Sequence, residues 1–186
     1  MLAAVFNFHH THSQYIISQL IESIIQQIHS PLQTSKLEGD AVFLYATVNN
    51  GQCTYEELKK QFGEKLLDFF SAFHNRISEI KQTNQCSCKA CSNMDVLKLK
   101  IVVHCGEALF YQINQFNELS GKDVILIHRL LKNSVPEEEY ILMTDAAFSD
   151  IKFPVEIKVR EGIENYEHVG QVKTLTYCYP FSIENI

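Results

Sequence analysis

Cys86, Cys88 and Cys91 are the residues of this sequence with the plainest capacity for chemistry. They stand in Cys-x-Cys-x2-Cys spacing inside a polar stretch, residues 82–95. Three neighbouring thiolates favour a soft, tetrahedrally held ion, most simply zinc, and a closed structural site needs a fourth ligand. His74, His104 and Cys105 are the candidates. The competing reading is a cluster of reduced surface thiols, but exposed thiols invite oxidation, which tips the balance toward a metal. His9, His10 and His12 form a second group with ligand chemistry. They read as a solvated segment ahead of a helix. Cys53 and Cys178 read as small buried residues, and His104 and His128 as hydrogen-bonded structural histidines. No Ser/His/Asp arrangement and no glycine-rich phosphate loop is present.

The elements that must position these residues follow from periodicity. Ile16, Ile17, Leu20, Ile21, Ile24, Ile25 and Ile28 recur at helical spacing. They predict a helix opened by Thr11 or Ser13 and closed before Pro31. Gln33 to Leu37 and Ala41 to Val48 read as two strands joined through Glu38–Gly39–Asp40. The unalternated run Ala41–Ala46 predicts a central strand covered on both faces. Thr54–Tyr55–Glu56–Glu57 is a capping box. It starts a long helix with Leu58, Phe62, Leu66, Phe69, Phe70, Phe73 and Ile77 facing inward. The segment from Leu97 to Asn133 reads as strand (97–104), tight turn at Cys105–Gly106–Glu107, strand (108–116), and glycine turn at Ser120–Gly121. A helix with Val124, Ile127 and Leu131 on one face completes it. Tyr140 to Met143 is a short strand and Thr144 to Phe148 a helical turn. Phe153 to Arg160 and Val169 to Tyr179 form a closing antiparallel pair around a turn with Gly162 and Asn165.

With 186 residues, 46% of them apolar, and no repeat or linker, the chain reads as one α+β domain, 1–186. The net charge of −6 argues against nucleic acid as a partner. No apolar run approaches the roughly 18 residues that span a bilayer. The opening residues lack the positive flank of a signal peptide, so the expected location is the cytoplasm and no membrane partner is expected.

Ile101–Val102–Val103–His104–Cys105–Gly106 resembles the strand and His-x-Gly turn of class III nucleotidyl cyclase domains. Phe116 to Leu130 is similar to that family's substrate and transition-state segment. Glu118 stands three before Gly121, and Val124 and Arg129 match the ends of its Val-Asn-x-Ala-x-Arg run. Ile125 replaces the asparagine and Ile127 the alanine. Lys36–Leu37–Glu38–Gly39–Asp40 resembles the family's Lys-x-x-Gly-Asp hairpin. The resemblance implies a ferredoxin-like cyclase fold, with a mostly antiparallel central sheet covered by helices. It also implies a homodimer, because the family builds its active sites between two subunits.

The family's reaction is attack of the ribose 3′ oxygen on the α-phosphate, assisted by two Mg²⁺ or Mn²⁺ ions held by two aspartates. Asp40 matches one. The other belongs to a strand ahead of the first helix, with an Asp-x-x-Gly-Phe-Thr-like turn, and no aspartate precedes Asp40 here. Relative to the family the domain is N-terminally incomplete. Lys36 and Glu118 match the base-reading positions; a donor and an acceptor there suit adenine. Arg129 matches the transition-state arginine, against the plainer reading of a surface arginine paired with a carboxylate such as Asp123. Ile125 cannot donate the hydrogen bond of an asparagine, a loss of about 2.7–4 kcal/mol of transition-state stabilisation. The reading is thus a degenerate cyclase-like domain that binds nucleotide or dimerises without turnover. The alternatives are an adenylate cyclase whose first strand lies outside this sequence, and a zinc-stabilised structural protein with no nucleotide site.

Overall fold

The computed structural model describes residues 8–47 and 54–179. Contacts divide the chain into two compact units, Met1–Thr47 with Leu67–Lys98, and Val48–Leu66 with Leu99–Ile186.

The first unit opens with α1 (Phe8–Ile25). The helix starts ahead of the expected caps Thr11 and Ser13, because nothing in residues 8–10 breaks a helix. It ends at Ile25, whose carbonyl accepts from Ile28 N–H and tightens the last turn ahead of Pro31. Ile16 and Leu20 are its buried apolar residues. Strands β1 (Leu32–Glu38) and β2 (Ala41–Ala46) form an antiparallel hairpin that turns at Gly39, φ +62°. That φ is cheap only for glycine. Among the described residues β2 pairs with β1 alone, and all six of its residues are half-buried. It is therefore not the central strand that its apolar run predicts.

Helix α2 (Tyr55–Thr83) begins in the second unit and ends in the first. The capping box is present: Glu57 N–H donates to Thr54 Oγ1 at 3.3 Å, and Thr54 N–H donates to Glu57 Oε2 at 2.8 Å. The Thr54 amide and hydroxyl hold the Glu57 carboxyl below its usual range. Leu66, Phe69, Phe70, Phe73, Ile77 and Ile80 are buried along it, the i, i+3, i+4, i+7 stripe of an amphipathic helix. The stretch expected to be loop after α2 contains the short helix α3 (Lys89–Ser92) and a 3-10 turn, Met94–Val96.

In the second unit, β3 (Lys100–Val103), β6 (Tyr140–Thr144), β7 (Arg160–Tyr166) and β8 (Gly170–Cys178) form one sheet in the order β3–β6–β8–β7. The β3–β6 pair is parallel and the other two are antiparallel. Strand β6, Tyr-Ile-Leu-Met-Thr, is buried at every position and is one of the two interior strands, with β8. Helix α5 (Asp145–Asp150) follows, N-capped by Thr144, which accepts from Ala147 N–H. At Gly63 a methyl group would sit 2.1 Å from the Lys152 carbonyl oxygen, so only glycine lets that backbone cross α2 there.

Three expectations need correction here. The 97–104 strand does not form a hairpin with 108–116. β3 pairs with β6, and the hairpin is β4 (Leu109–Ile113) with β5 (Phe116–Ser120), turning at Asn114, φ +53°. Residues 153–159 are not strand. Gly162 and Asn165 lie inside β7 rather than in the turn, which falls at 167–169 with His168 at φ +65°. Gly162 is a strand glycine, its absent side chain leaving room for Thr174 Oγ1 at 3.0 Å.

Helix α4 (Lys122–Leu130) follows β5. It is capped by Gly121 at φ +138°, where a methyl group would also approach the Glu107 carbonyl to 3.3 Å. Leu126 and Leu130, with Tyr140 and Leu142, make a core cluster in this unit, flanked by Val102, Val135, Tyr166 and Val172. The buried face is thus 126/130, while Leu131 is 45% exposed. Apolar residues stand on every side of this helix, so periodicity points to Val124, Ile127 and Leu131, whereas Leu126 and Leu130 are the buried pair.

Candidate functional site

Residues 12, 86, 88 and 91 converge within the first unit. His12 projects from the first turns of α1. Cys86 and Cys88 precede α3 and Cys91 lies within it. His12 Nδ1 is 3.4 Å from Cys86 Sγ, 3.4 Å from Cys88 Sγ and 3.6 Å from Cys91 Sγ. All four donor atoms lie within 4.8 Å of one another, so this group could hold a metal ion. Zinc bonded to sulfur at about 2.3 Å and to nitrogen at about 2.0–2.1 Å, with tetrahedral angles, separates those atoms by about 3.5 Å. The three distances match that edge.

The thiols are strongly unequal. The Cys91 backbone N–H, followed by His12 and the neighbouring thiols, brings Cys88 down to about 6 against the opposing effect of burial. Burial, then Cys88 and Cys86, push Cys91 up to about 11. The three cysteines are legible from spacing, and the fourth donor that stands beside them is His12. None of His74, His104 and Cys105 belongs to the group. The available signal was the histidine cluster at the start of α1; the side chains of His9 and His10 lie outside the described residues.

The His104-x-Gly106 turn leads to a second polar cluster. His104 Nδ1 is 2.9 Å from Thr144 Oγ1, and its Nε2 is 3.4 Å from Asp123 Oδ1, a charge-pair distance without hydrogen-bond geometry. Thr144 Oγ1 also accepts from Ala147 N–H. Asp123 Oδ2 accepts from Glu107 N–H at 2.7 Å. Burial raises the Asp123 carboxyl, but the Glu107 amide and His104 outweigh it and hold the group low. A methyl group on Gly106 would lie 2.5 Å from Asp123 Cγ, which explains the glycine. Asp123 is thus turned to the β3–β4 connection, not to Arg129 as the plainer reading had it. Cys105 is half-buried, and burial, then Asp150, raise its thiol. Cys178 is only half-buried, and Cys53 lies outside the described residues.

The positions singled out by resemblance fall in different units. Lys36 and Asp40 belong to the β1–β2 hairpin of the first unit; Glu118, Ile125 and Arg129 belong to β5 and α4 of the second. Lys36 Nζ is 2.7 Å from Glu38 and lies 5.7 Å from the Phe43 ring centre. Asp40 is exposed in the hairpin turn, and Glu118 is half-buried. Ile125 is 55% exposed, one turn before exposed Arg129. A two-ion cyclase site needs two carboxylates on the same ions. Asp40 is one exposed carboxylate at the position that the resemblance singles out.

A family model described as "Protein of unknown function (DUF2652)" matches residues 17–140. "Uncharacterized protein Rv2561/Rv2562" of Mycobacterium tuberculosis (strain ATCC 25618 / H37Rv) is 34% identical over 158 residues, which cover 85% of this chain and 71% of that protein. Among solved structures, the catalytic core of a rhodopsin-guanylyl cyclase with converted specificity, in complex with ATPalphaS, aligns with TM-score 0.53 and 13% identity. The alignment covers 93% of this chain and 85% of that one. A bacterial light-regulated adenylyl cyclase aligns with TM-score 0.56 and 10% identity, over 94% of this chain and 47% of that one. These likenesses show that the fold is that of the nucleotidyl cyclase cores.

Proposed function

We propose that this chain, which belongs to the DUF2652 family, is a single cyclase-like domain that acts by self-association rather than by turnover. The observation that carries this reading is the β4–β5 hairpin. Across its register Ile113 faces Phe116 and Tyr111 faces Glu118. Alternation therefore puts Leu109, Tyr111, Ile113 and Phe116 on one face. Their exposures are 71%, 44%, 57% and 59%. An apolar face of this kind on a two-stranded ribbon marks a protein contact. A second copy is the occupant that the cyclase resemblance implies.

The absence of turnover rests on chemistry. Ile125 occupies the position of a transition-state hydrogen-bond donor and has no hydrogen to donate. Arg129 is then a remnant. Lys36 and Glu118 remain a donor and an acceptor suited to adenine. Reading a base costs Lys36 its contact with Glu38, a partly exposed pair worth at most about 1 kcal/mol. For the His12, Cys86, Cys88 and Cys91 group the reading assigns zinc. The net charge of −6 disfavours nucleic acid. Among the described residues no helix is long and apolar enough to cross a membrane; the location proposed is the cytoplasm.

Sedimentation equilibrium tests the self-association. The wild-type chain is expected to sediment as a dimer at micromolar concentration, and Ile113→Asp with Phe116→Asp as a folded monomer. A wild-type monomer across that range, or a dimer untouched by both substitutions, would overturn the reading.

A further inference from the structure

We propose that His12, Cys86, Cys88 and Cys91 form a closed zinc centre whose occupancy fastens the start of α1 to the segment after α2. This rests on zinc being the ion of that group. Three thiolates and an imidazole are the donor set of structural zinc sites, and hard cations such as Mg²⁺ and Ca²⁺ select oxygen instead. Four protein ligands fill a tetrahedron and leave no position open for substrate, so the centre is structural.

The cysteine segment is ordered by contacts of its own. Asn84 Oδ1 accepts from Cys86 N–H at 3.0 Å while Asn84 Nδ2 donates to the Cys86 carbonyl at 3.1 Å. Cys88 N–H donates to Cys86 Sγ at 3.4 Å, and Ser92 Oγ donates to the Ser87 carbonyl at 3.2 Å. Lys81 of α2 pairs with Asp95, and Met94 is 1% exposed. Such outer hydrogen bonds aim the first ligands and raise affinity. His12 is different, because it stands 74 residues from Cys86. Closing a loop of that length has an entropic cost that a metal bond offsets in the folded chain. Further along α1, Gln19 bonds Arg76, and Ile16 and Leu20 are buried. Metal dependence is therefore expected to be steepest at the first turns of α1 and to fade toward Leu20.

The test uses the full chain, freshly reduced and loaded with zinc, against the same protein stripped by chelator. About one zinc per chain is expected, and cobalt(II) in its place should give the spectrum of a tetrahedral thiolate site. Stripping should raise amide hydrogen exchange around His12 and across residues 86–96, with strands β6 and β8 unchanged. His12→Ala should weaken zinc by at least the about 10–100-fold typical of outer-shell losses, whereas His12→Cys should retain it. Reduced protein that binds no zinc would overturn the assignment of the ion. Zinc bound with the same exchange of α1 in both states, or with an affinity that ignores His12→Ala, would leave the ion in place and overturn the fastening.

Discussion

Gly106→Ala probes the best-defined joint of the second unit. A Cβ there would stand 2.5 Å from Asp123 Cγ and Oδ2 and 2.7 Å from Asp123 Cβ. The clash with Cβ means that rotating the carboxylate is not enough to relieve it, so Asp123 must give up Glu107 N–H, now at 2.7 Å. A hydrogen bond to a charged group contributes about 1.5–3 kcal/mol, and the low end applies because water reaches exposed Glu107. The lost flexibility of glycine in the unfolded chain returns about 0.4–1 kcal/mol. The net expectation is about 1 kcal/mol of destabilisation. For a chain of this size that lowers the melting temperature by about 2–4 °C. Urea titration and calorimetry measure it. In an Asp123→Ala background the carboxylate contacts and the hydrogen bond from Glu107 N–H are gone and only the Cβ contact remains, so Gly106→Ala should cost less there, and the double-mutant cycle should show coupling. Equal destabilisation in both backgrounds would refute the reasoning.

Asp123 also carries a pH signature. Its folded-state carboxyl is held low, so its stabilising contribution is fully present above the unfolded value of about 3.9 and is lost as pH falls toward the folded value. The stability difference between wild type and Asp123→Ala should therefore hold from neutral pH to about 5 and shrink below about 4; a difference independent of pH counts against the paired carboxylate. Calorimetric titration should show adenine nucleotides binding more tightly than guanine nucleotides, with the preference reduced in Glu118→Ala. Equal or tighter GTP binding would remove Lys36 and Glu118 as base readers.

What the sequence made legible was whatever rests on local chemistry. Thr54 and Glu57 announce α2 because a capping box is complete within four residues. Ile16 and Leu20 announce α1 through a single period. Ala41–Ala46 and Tyr140–Thr144 show the limit: both are unalternated apolar runs, yet one lies in a two-stranded hairpin and the other is a buried interior strand of a sheet. Burial on both faces depends on what arrives from elsewhere in the chain. Gly162 reads as a turn because glycine is more often there, whereas its reason is the Thr174 hydroxyl across the strand pair. The same division runs through the metal centre. Three cysteines within six residues carry their signal locally, while His12 joins them only once α1 packs against α3.

The claim that this cyclase fold works without turnover is tested most directly by incubating the purified, zinc-replete chain with ATP or GTP and Mg²⁺ or Mn²⁺, and measuring cyclic nucleotide by mass spectrometry. The account predicts none above the no-protein control. Cyclic AMP that tracks the protein through purification and vanishes in Asp40→Ala would contradict it.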